Sequence, residues 1–466
     1  MAHDLGEIKL HEADTIPLGD RASGAYRLLF TLGVVGVLAS LGAALMTDDG
    51  VRRFGFAYVL AFAFVLSLGL GSLFFVLVTH LFRAGWVVVV RRPAETLAAN
   101  LPLLAVLFLP ILGYVWANNG QVYSWAQPME QLESQWEQVH GGHAKAVDTE
   151  EVLIAPVVAA PQDAHALDAE PAEADVPSHL PPPELIQAKR GYLNISFFTV
   201  RWILYFVIWS VIGYTYWRTS IAQDVSGDHR LTNKLQGLAP PAILLFALTL
   251  TFASFDLLMT LDPAWFSTMW GVYFFAGSVV STVATLILIL MILQRCGQMK
   301  AVNVEHYHDL GKLLFAFVFF WGYIAFSQYM LIWYANIPEE TGWFQLHGVT
   351  TAAGEVTGWT CVAIVLLVGH LLIPFAGLLS RHVKRSRMGL GFWAVWMLVM
   401  HSIDLWWIVM PSFDAHHVSF GVIEAGLLVG LLAFFLGAAV YRGASYPLVP
   451  QKDPRLSESM AFENPY

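Results

Sequence analysis

The chain has 466 residues, of which 57% are hydrophobic, 14% aromatic and only 13% charged, with a formal net charge of −10 at neutral pH and a mean hydropathy of +0.58. Ordinary soluble domains carry about 25% charged residues, and a soluble fold of this composition would expose large apolar patches. That balance excludes a soluble globular protein, and no nucleic-acid partner is expected.

Residues 1–25 form a polar, net acidic tail. It lacks the basic start of a secretory signal, so the first apolar run is expected to stay as an anchor. Runs of roughly 20 apolar residues, enough to cross a bilayer as a helix, then recur about ten times. They fall near 26–46, 56–82 and 97–116, then 195–217, 239–261, 270–293, 310–333, 357–379, 391–410 and 421–440. The chain thus divides into a tail (1–25), three spans (26–116), a long loop (117–194), seven spans (195–440) and a second tail (441–466). Backbone groups in lipid must be satisfied within the segment, so these runs are helices. The expected fold is an all-α polytopic membrane protein.

Ten spans put both termini and the even loops on one side. That side holds every Lys and Arg except Arg52, Arg53, Lys145, Lys189, Arg190 and the intramembrane Arg201. By the positive-inside rule it is the cytoplasm. The segment 86–95, with Arg91 and Arg92, reads as a cytoplasmic stretch at headgroup level. The middle of the long loop is rich in Ala, Pro, Asp and Glu and cannot bury a core of its own. Its start, 129–139, carries Leu132 and Trp136 among acids and glutamines and reads as a short helix on the membrane surface or on a partner. The loop histidines 140, 143, 165 and 179 have no metal-ligand rhythm.

The fifth and ninth spans share a pattern. Asp256-Leu257 is followed by Pro263 and Asp404-Leu405 by Pro411, with the same spacing. Parallel repeats are a known membrane architecture. The pattern predicts two parallel-repeat four-helix bundles, spans 2–5 and 6–9, with spans 1 and 10 flanking them.

Ionisable groups at membrane depth are costly, by about 2.5–3.5 kcal/mol on insertion scales, and are functional candidates. Asp256 and Arg201 lie at similar depth and can pair, either as a structural ion pair or as a proton station. His401 and Asp404 share a helix face three residues apart, a spacing suited to proton relay or to interhelical hydrogen bonding. Glu424, one turn into the last span, either continues that track or faces the headgroups. Proton-transfer candidates are therefore Asp256, Arg201, His401, Asp404, His370 and Glu424. Span seven offers Tyr323, Ser327, Gln328, Tyr329 and Trp333, donors and rings suited to a quinone and equally suited to gluing helices. His80 and His370 would ligate a b-type haem only if they faced each other across one bundle, whereas the repeat separates them. Cys296 and Cys361 fall at opposite membrane faces, too far apart for a disulfide, and no CxxC motif is present. No metal site and no catalytic residue are assigned.

Several strings resemble a known family. They are Ser254-Phe-Asp-Leu-Leu-Met-Thr-Leu-Asp-Pro-Ala-Trp-Phe-Ser-Thr268, His308-Asp-Leu-Gly-Lys312, Gln328-Tyr-Met-Leu-Ile-Trp-Tyr-Ala-Asn-Ile-Pro-Glu339, His370-Leu-Leu-Ile-Pro-Phe375 and Asp453-Pro-Arg-Leu-Ser-Glu-Ser459. They are similar to the polysulphide-reductase-like (NrfD-like) membrane subunits of alternative complex III, a quinol:cytochrome c oxidoreductase. The resemblance covers most of spans four to ten and the tail and is weak in the N-terminal third. It implies two four-helix bundles and a place in the bacterial inner membrane. It also implies no covalent cofactor or redox metal in this chain, with menaquinone or another quinone as the candidate ligand. The implied partners are a sister NrfD-like subunit, an iron–sulphur subunit, multihaem and monohaem cytochromes c that carry the haems, and a small membrane subunit. A terminal oxidase is a further candidate partner. The chemistry of the complex would sit mainly on those partners, and the buried acids of this chain suggest proton conduction. A stand-alone proton- or ion-coupled transporter is the competing reading. The aromatic loop around Trp343 and Phe344, with Glu339, Glu340, Asp262 and Asp414 on the same face, is expected to dock extrinsic subunits.

Overall fold

The computed structural model describes residues 10–140, 181–349 and 356–464. Among them ten helices are long and apolar enough to cross a membrane, and there is no strand. Span 1 is Gly19–Ala44, span 2 Gly50–Leu81, span 3 Val88–Trp116, span 4 Ile195–Ser226 and span 5 His229–Leu261. Span 6 is Trp270–Arg295, span 7 Val304–Ala335, span 8 Gly358–Leu379, span 9 Arg387–Ser412 and span 10 Val422–Gly443. The chain is the all-α polytopic membrane protein that its composition requires. With an even number of spans, both tails lie on one face, here called the terminal face.

Span 2 is apolar on every side, and a helix of that kind belongs in an interior. It packs on spans 3 and 5 of its own bundle and on spans 6, 9 and 10 beyond it. Spans 3, 4 and 5 complete the first group, and span 6 packs on spans 7 and 9 of the second. The two groups meet where span 2 faces span 6. Small and hydroxylated residues line that seam: Thr282 Oγ1 donates to the Leu68 carbonyl at 3.1 Å, and Ser67 Oγ lies 3.3 Å from Ser281 Oγ. Lipid tails are as apolar as leucine, so small residues that permit close backbone approach hold such helices together. Spans 1 and 10 flank the bundles and pack on each other in the same way. A Cβ on Gly36 would stand 3.0 Å from the Gly430 Cα, and Ser40 Oγ donates to the Ile423 carbonyl at 3.0 Å.

Span 3 begins earlier than hydropathy suggests. Arg91 and Arg92, expected from the sequence in a cytoplasmic stretch, lie in its first turns and are buried within the protein. Arg91 contacts Glu95 at 2.8 Å and Asp453 at 2.8 Å, and Arg92 contacts Asp224 at 2.8 Å. A hydropathy window reads these charges as solvent-seeking, whereas the pairing makes burial tolerable. The partner Asp453 comes from the C-terminal tail, which crosses the terminal face. Gln451 N–H donates to Asp224 Oδ1 at 2.8 Å, Ser459 Oγ to the Trp86 carbonyl at 2.6 Å, and Asn464 Nδ2 to Glu305 Oε2 at 3.0 Å.

The long loop is helical at both described ends, over Met129–His140 and Pro183–Lys189. These helices pack against each other, with Leu132 and Ile186 fully buried. The first helix is therefore seated on its own chain. The Ala- and Pro-rich middle, 141–180, lies outside the described residues.

Candidate functional site

Spans 5 and 9 both end in a short 3-10 turn, Met259–Leu261 and Met410–Ser412. The acid before each turn, Asp256 or Asp404, is buried. The turn starts three residues after Asp256 but six after Asp404, and the two acids have unlike surroundings.

Asp256 belongs to an ion pair. Asn194 caps span 4 by accepting the Phe197 N–H at 2.8 Å, which sets Arg201 two turns inside the helix. Arg201 Nε donates to Asp256 Oδ2 and Nη2 to Oδ1, both at 2.8 Å, and Tyr205 Oη donates to Oδ2 at 3.0 Å. The guanidinium centre stands 3.8 Å from the Tyr192 ring centroid and 4.4 Å from that of Phe197. Bidentate pairing with stacking is the arrangement in which arginine is strongest.

Asp404 is held by neutral donors. The Tyr273 hydroxyl donates to Oδ1 and Trp321 Nε1 to Oδ2 at 3.3 Å. No Lys or Arg reaches it among the described residues. Instead two imidazoles stand beside it. His401 Nδ1 is 4.0 Å from Asp404 Oδ2, and the His370 ring lies on Trp321 with 3.8 Å between centroids. Ligand-type atoms of His370, His401 and Asp404 all lie within 4.8 Å of one another. Both nitrogens of His370 and Nδ1 of His401 are buried with no hydrogen-bond partner. The group offers a donor set that a metal ion could use, but both Asp404 oxygens already accept hydrogen bonds.

Local sequence places each imidazole. His370 sits in a π turn, Leu367–Leu372, a distortion that recurs at functional sites. Pro374 lacks the N–H that would close the helix there. The Gly369 carbonyl accepts Trp396 Nε1 at 2.7 Å instead. His401 fits because Gly277 faces it on span 6: a Cβ there would stand 2.7 Å from His401 Cε1. His401 Nε2 meets Ser67 Oγ at 3.0 Å, and Ser67 also lies 2.7 Å from the Phe64 carbonyl. A carbonyl can only accept, so Ser67 gives it its proton and His401 Nε2–H donates to Ser67. Nδ1 then presents a lone pair toward Asp404.

The other expected site residues are scattered. Glu424 neither faces the headgroups nor joins this group. It is buried and bound by Arg53, whose Nε donates to Oε1 at 2.6 Å and Nη2 to Oε2 at 3.0 Å. Tyr323 and Trp333 face outward, 57% and 59% exposed, while Gln328 is buried and points elsewhere, so the span-seven set forms no common pocket. His80 lies in the first bundle, donating Nδ1–H to the Val76 carbonyl at 2.8 Å beside Tyr216; it does not face His370. Trp343 and Phe344 are buried in a stack with Trp265, Trp270 and His347 and offer no exposed docking anchor. The Glu339 side chain lies outside the described residues. Sequence reasoning missed Tyr273, Trp321, Ser67 and Gly277. Only the depth of Tyr273 in its helix, near that of Asp404, was a usable signal.

Fold and site together define a polytopic helical membrane protein with one ion-paired and one cation-free acid in twin bundles. Comparison with protein-family models found no match, and neither did comparison with curated proteins.

Proposed function

We propose that this chain is a membrane subunit of a respiratory quinol:acceptor oxidoreductase of the alternative complex III type and that it conducts protons. In this reading it sits in a bacterial inner membrane with the terminal face in the cytoplasm, as the Lys and Arg bias suggests. The resemblance of spans four to ten supports the family. A single geometric observation supports the proton role: among the described residues Asp404 is buried with no cation, beside two imidazoles that each have an unpartnered nitrogen. Structure-only acids are normally neutralised by a fixed partner, as Asp256 is.

The step needs no other chemistry. Asp404, when protonated on Oδ2, gives that proton to the free lone pair of His401 Nδ1 as the Nε2 proton leaves for Ser67 and Ser281. Asp404 is then reprotonated from the face opposite the tails, with Tyr273 holding the carboxyl in place. The 4.0 Å gap between Nδ1 and Oδ2 exceeds a hydrogen bond, so one of the two side chains moves at each transfer. Quinol oxidation and the haem and iron–sulphur centres are assigned to partner subunits.

The test is the number of protons moved per electron by the purified complex in vesicles. Asp404→Asn should leave the haem-bearing partners attached and reduce proton movement by about a hundredfold, the low side of general acid–base effects. Wild-type proton yield in the variant would defeat the relay. A chain that purifies without haem-bearing partners would favour a stand-alone transporter.

A further inference from the structure

Asp404 is sealed from the face opposite the tails, yet a cavity stands above it. This cavity, about 280 Å³ in volume, lies where the two bundles meet. Its wall includes Arg52, Gln121, Gln127, Gln135, Asp262 and Ser412. A volume of that size holds several waters at about 30 Å³ each, and polar walls keep such a space wet. Ser124 Oγ on its wall is buried without a partner.

Between the cavity and Asp404 the path is apolar. Ser412, Ile408 and Asp404 follow each other at four-residue intervals on one face of span 9, so the cavity floor stands about 12 Å above the acid at 1.5 Å per residue. A narrow crevice below the cavity is lined by Leu258, Trp270, Tyr273, His401, Asp404 and Ile408. Leu258 and Ile408 are each 3% exposed and close its upper end, with Leu261 and Phe56 beneath the cavity. Trp270, on the same crevice, has a buried Nε1–H with no acceptor. Buried donors without acceptors call for an explanation, and an intermittent file of water supplies one.

We infer that the cavity is the water-filled mouth through which Asp404 exchanges protons with the face opposite the tails, and that Leu258 and Ile408 form its dry gate. This rests on the proton-conducting reading above. Hydrophobic constrictions gate by excluding water, and this one would keep the membrane sealed until a movement of span 5 or span 9 parts the two side chains. No bond is made or broken beyond the transfer of a proton between Asp404 and water.

The experiment uses the purified complex in sealed vesicles carrying an internal pH dye, without quinol. Leu258→Ser and Ile408→Thr should raise passive proton flux after an external pH jump by about tenfold or more. Ile408→Leu should stay tight. Adding Asp404→Asn to the leaky variant should restore tightness. A leak that persists in that double variant would uphold the gate and overturn Asp404 as the relay. A second readout is labelling by a membrane-impermeant maleimide in a Cys296→Ser, Cys361→Ser background. Ser412→Cys should react, whereas Ile408→Cys should react only when Leu258→Ser is also present. Absence of leak in intact complexes, or labelling of Ile408→Cys with Leu258 in place, would overturn the gate.

Discussion

Arg201 grips Asp256 through two parallel N–H···O bonds of 2.8 Å, whereas Asp404, in the other bundle, has no cation beside it among the described residues. The two copies of the Asp-Leu and Pro pattern therefore hold their acids differently. One copy uses its acid to fix two helices, and the other keeps an acid beside which the described residues place neutral donors and imidazoles.

The first bundle should behave as a clamp. Breaking a buried pair from one side typically costs about 3–5 kcal/mol, while replacing both partners by apolar residues is often neutral. Arg201→Met should lower the thermal midpoint of the detergent-solubilised protein strongly. The double variant Arg201→Met, Asp256→Leu should recover most of the loss and retain proton movement. Loss of proton movement in a well-folded double variant would reassign Asp256 to the relay.

The last span should depend on Glu424 as an anchor. Its carboxylate accepts from Arg53 and from the Gly421 N–H at 2.7 Å, so it caps span 10 as well as pairing. Glu424→Gln removes the charge and leaves Arg53 half-buried. The expected outcome is a loss of about 2–4 kcal/mol, between a lost cap and a broken pair, seen as a lower unfolding midpoint. Proton yield per electron should not change.

The fit of His401 against Gly277 gives a steric test. Gly277→Ala puts a methyl 2.7 Å from the imidazole, and overpacking of this kind costs about 1–3 kcal/mol. His401 must turn away from Ser67, so proton movement should fall while haem and iron–sulphur content stays normal. Unchanged proton movement would place His401 outside the path.

The C-terminal tail should open in acid. Burial opposes ionisation of Asp453, but Arg91 at 2.8 Å and the Arg455 N–H at 2.9 Å outweigh it and hold the carboxyl below the usual aspartate range. The folded state therefore binds this proton more weakly than the unfolded chain. The stabilisation is complete above the ordinary value of about 4 and is lost as pH falls through the lower folded value. Limited proteolysis of the tail should accelerate only at the acid end, and Asp453→Asn should make it fast at neutral pH.

The sequence by itself determined the number of spans, the shared placement of both tails and the pairing of Arg201 with Asp256. Each follows from one-dimensional quantities: the length of an apolar run, the parity of the spans, and equal depth on consecutive helices. The shared Asp-Leu and Pro spacing around Asp256 and Asp404 was legible in the same way, but the helix ends one residue after Asp256 and five after Asp404. Tertiary structure decided which groups face each other across helices distant in sequence. Arg91 with Asp453, Arg53 with Glu424, and His370 with His401 and Asp404 are each brought together by packing angles and helix rotation. At Arg91 and Arg92 the sequence starts span 3 too late, because a hydropathy window charges every ion its full cost of leaving water. Only a folded partner cancels that cost, and the partner arrives from the far end of the chain.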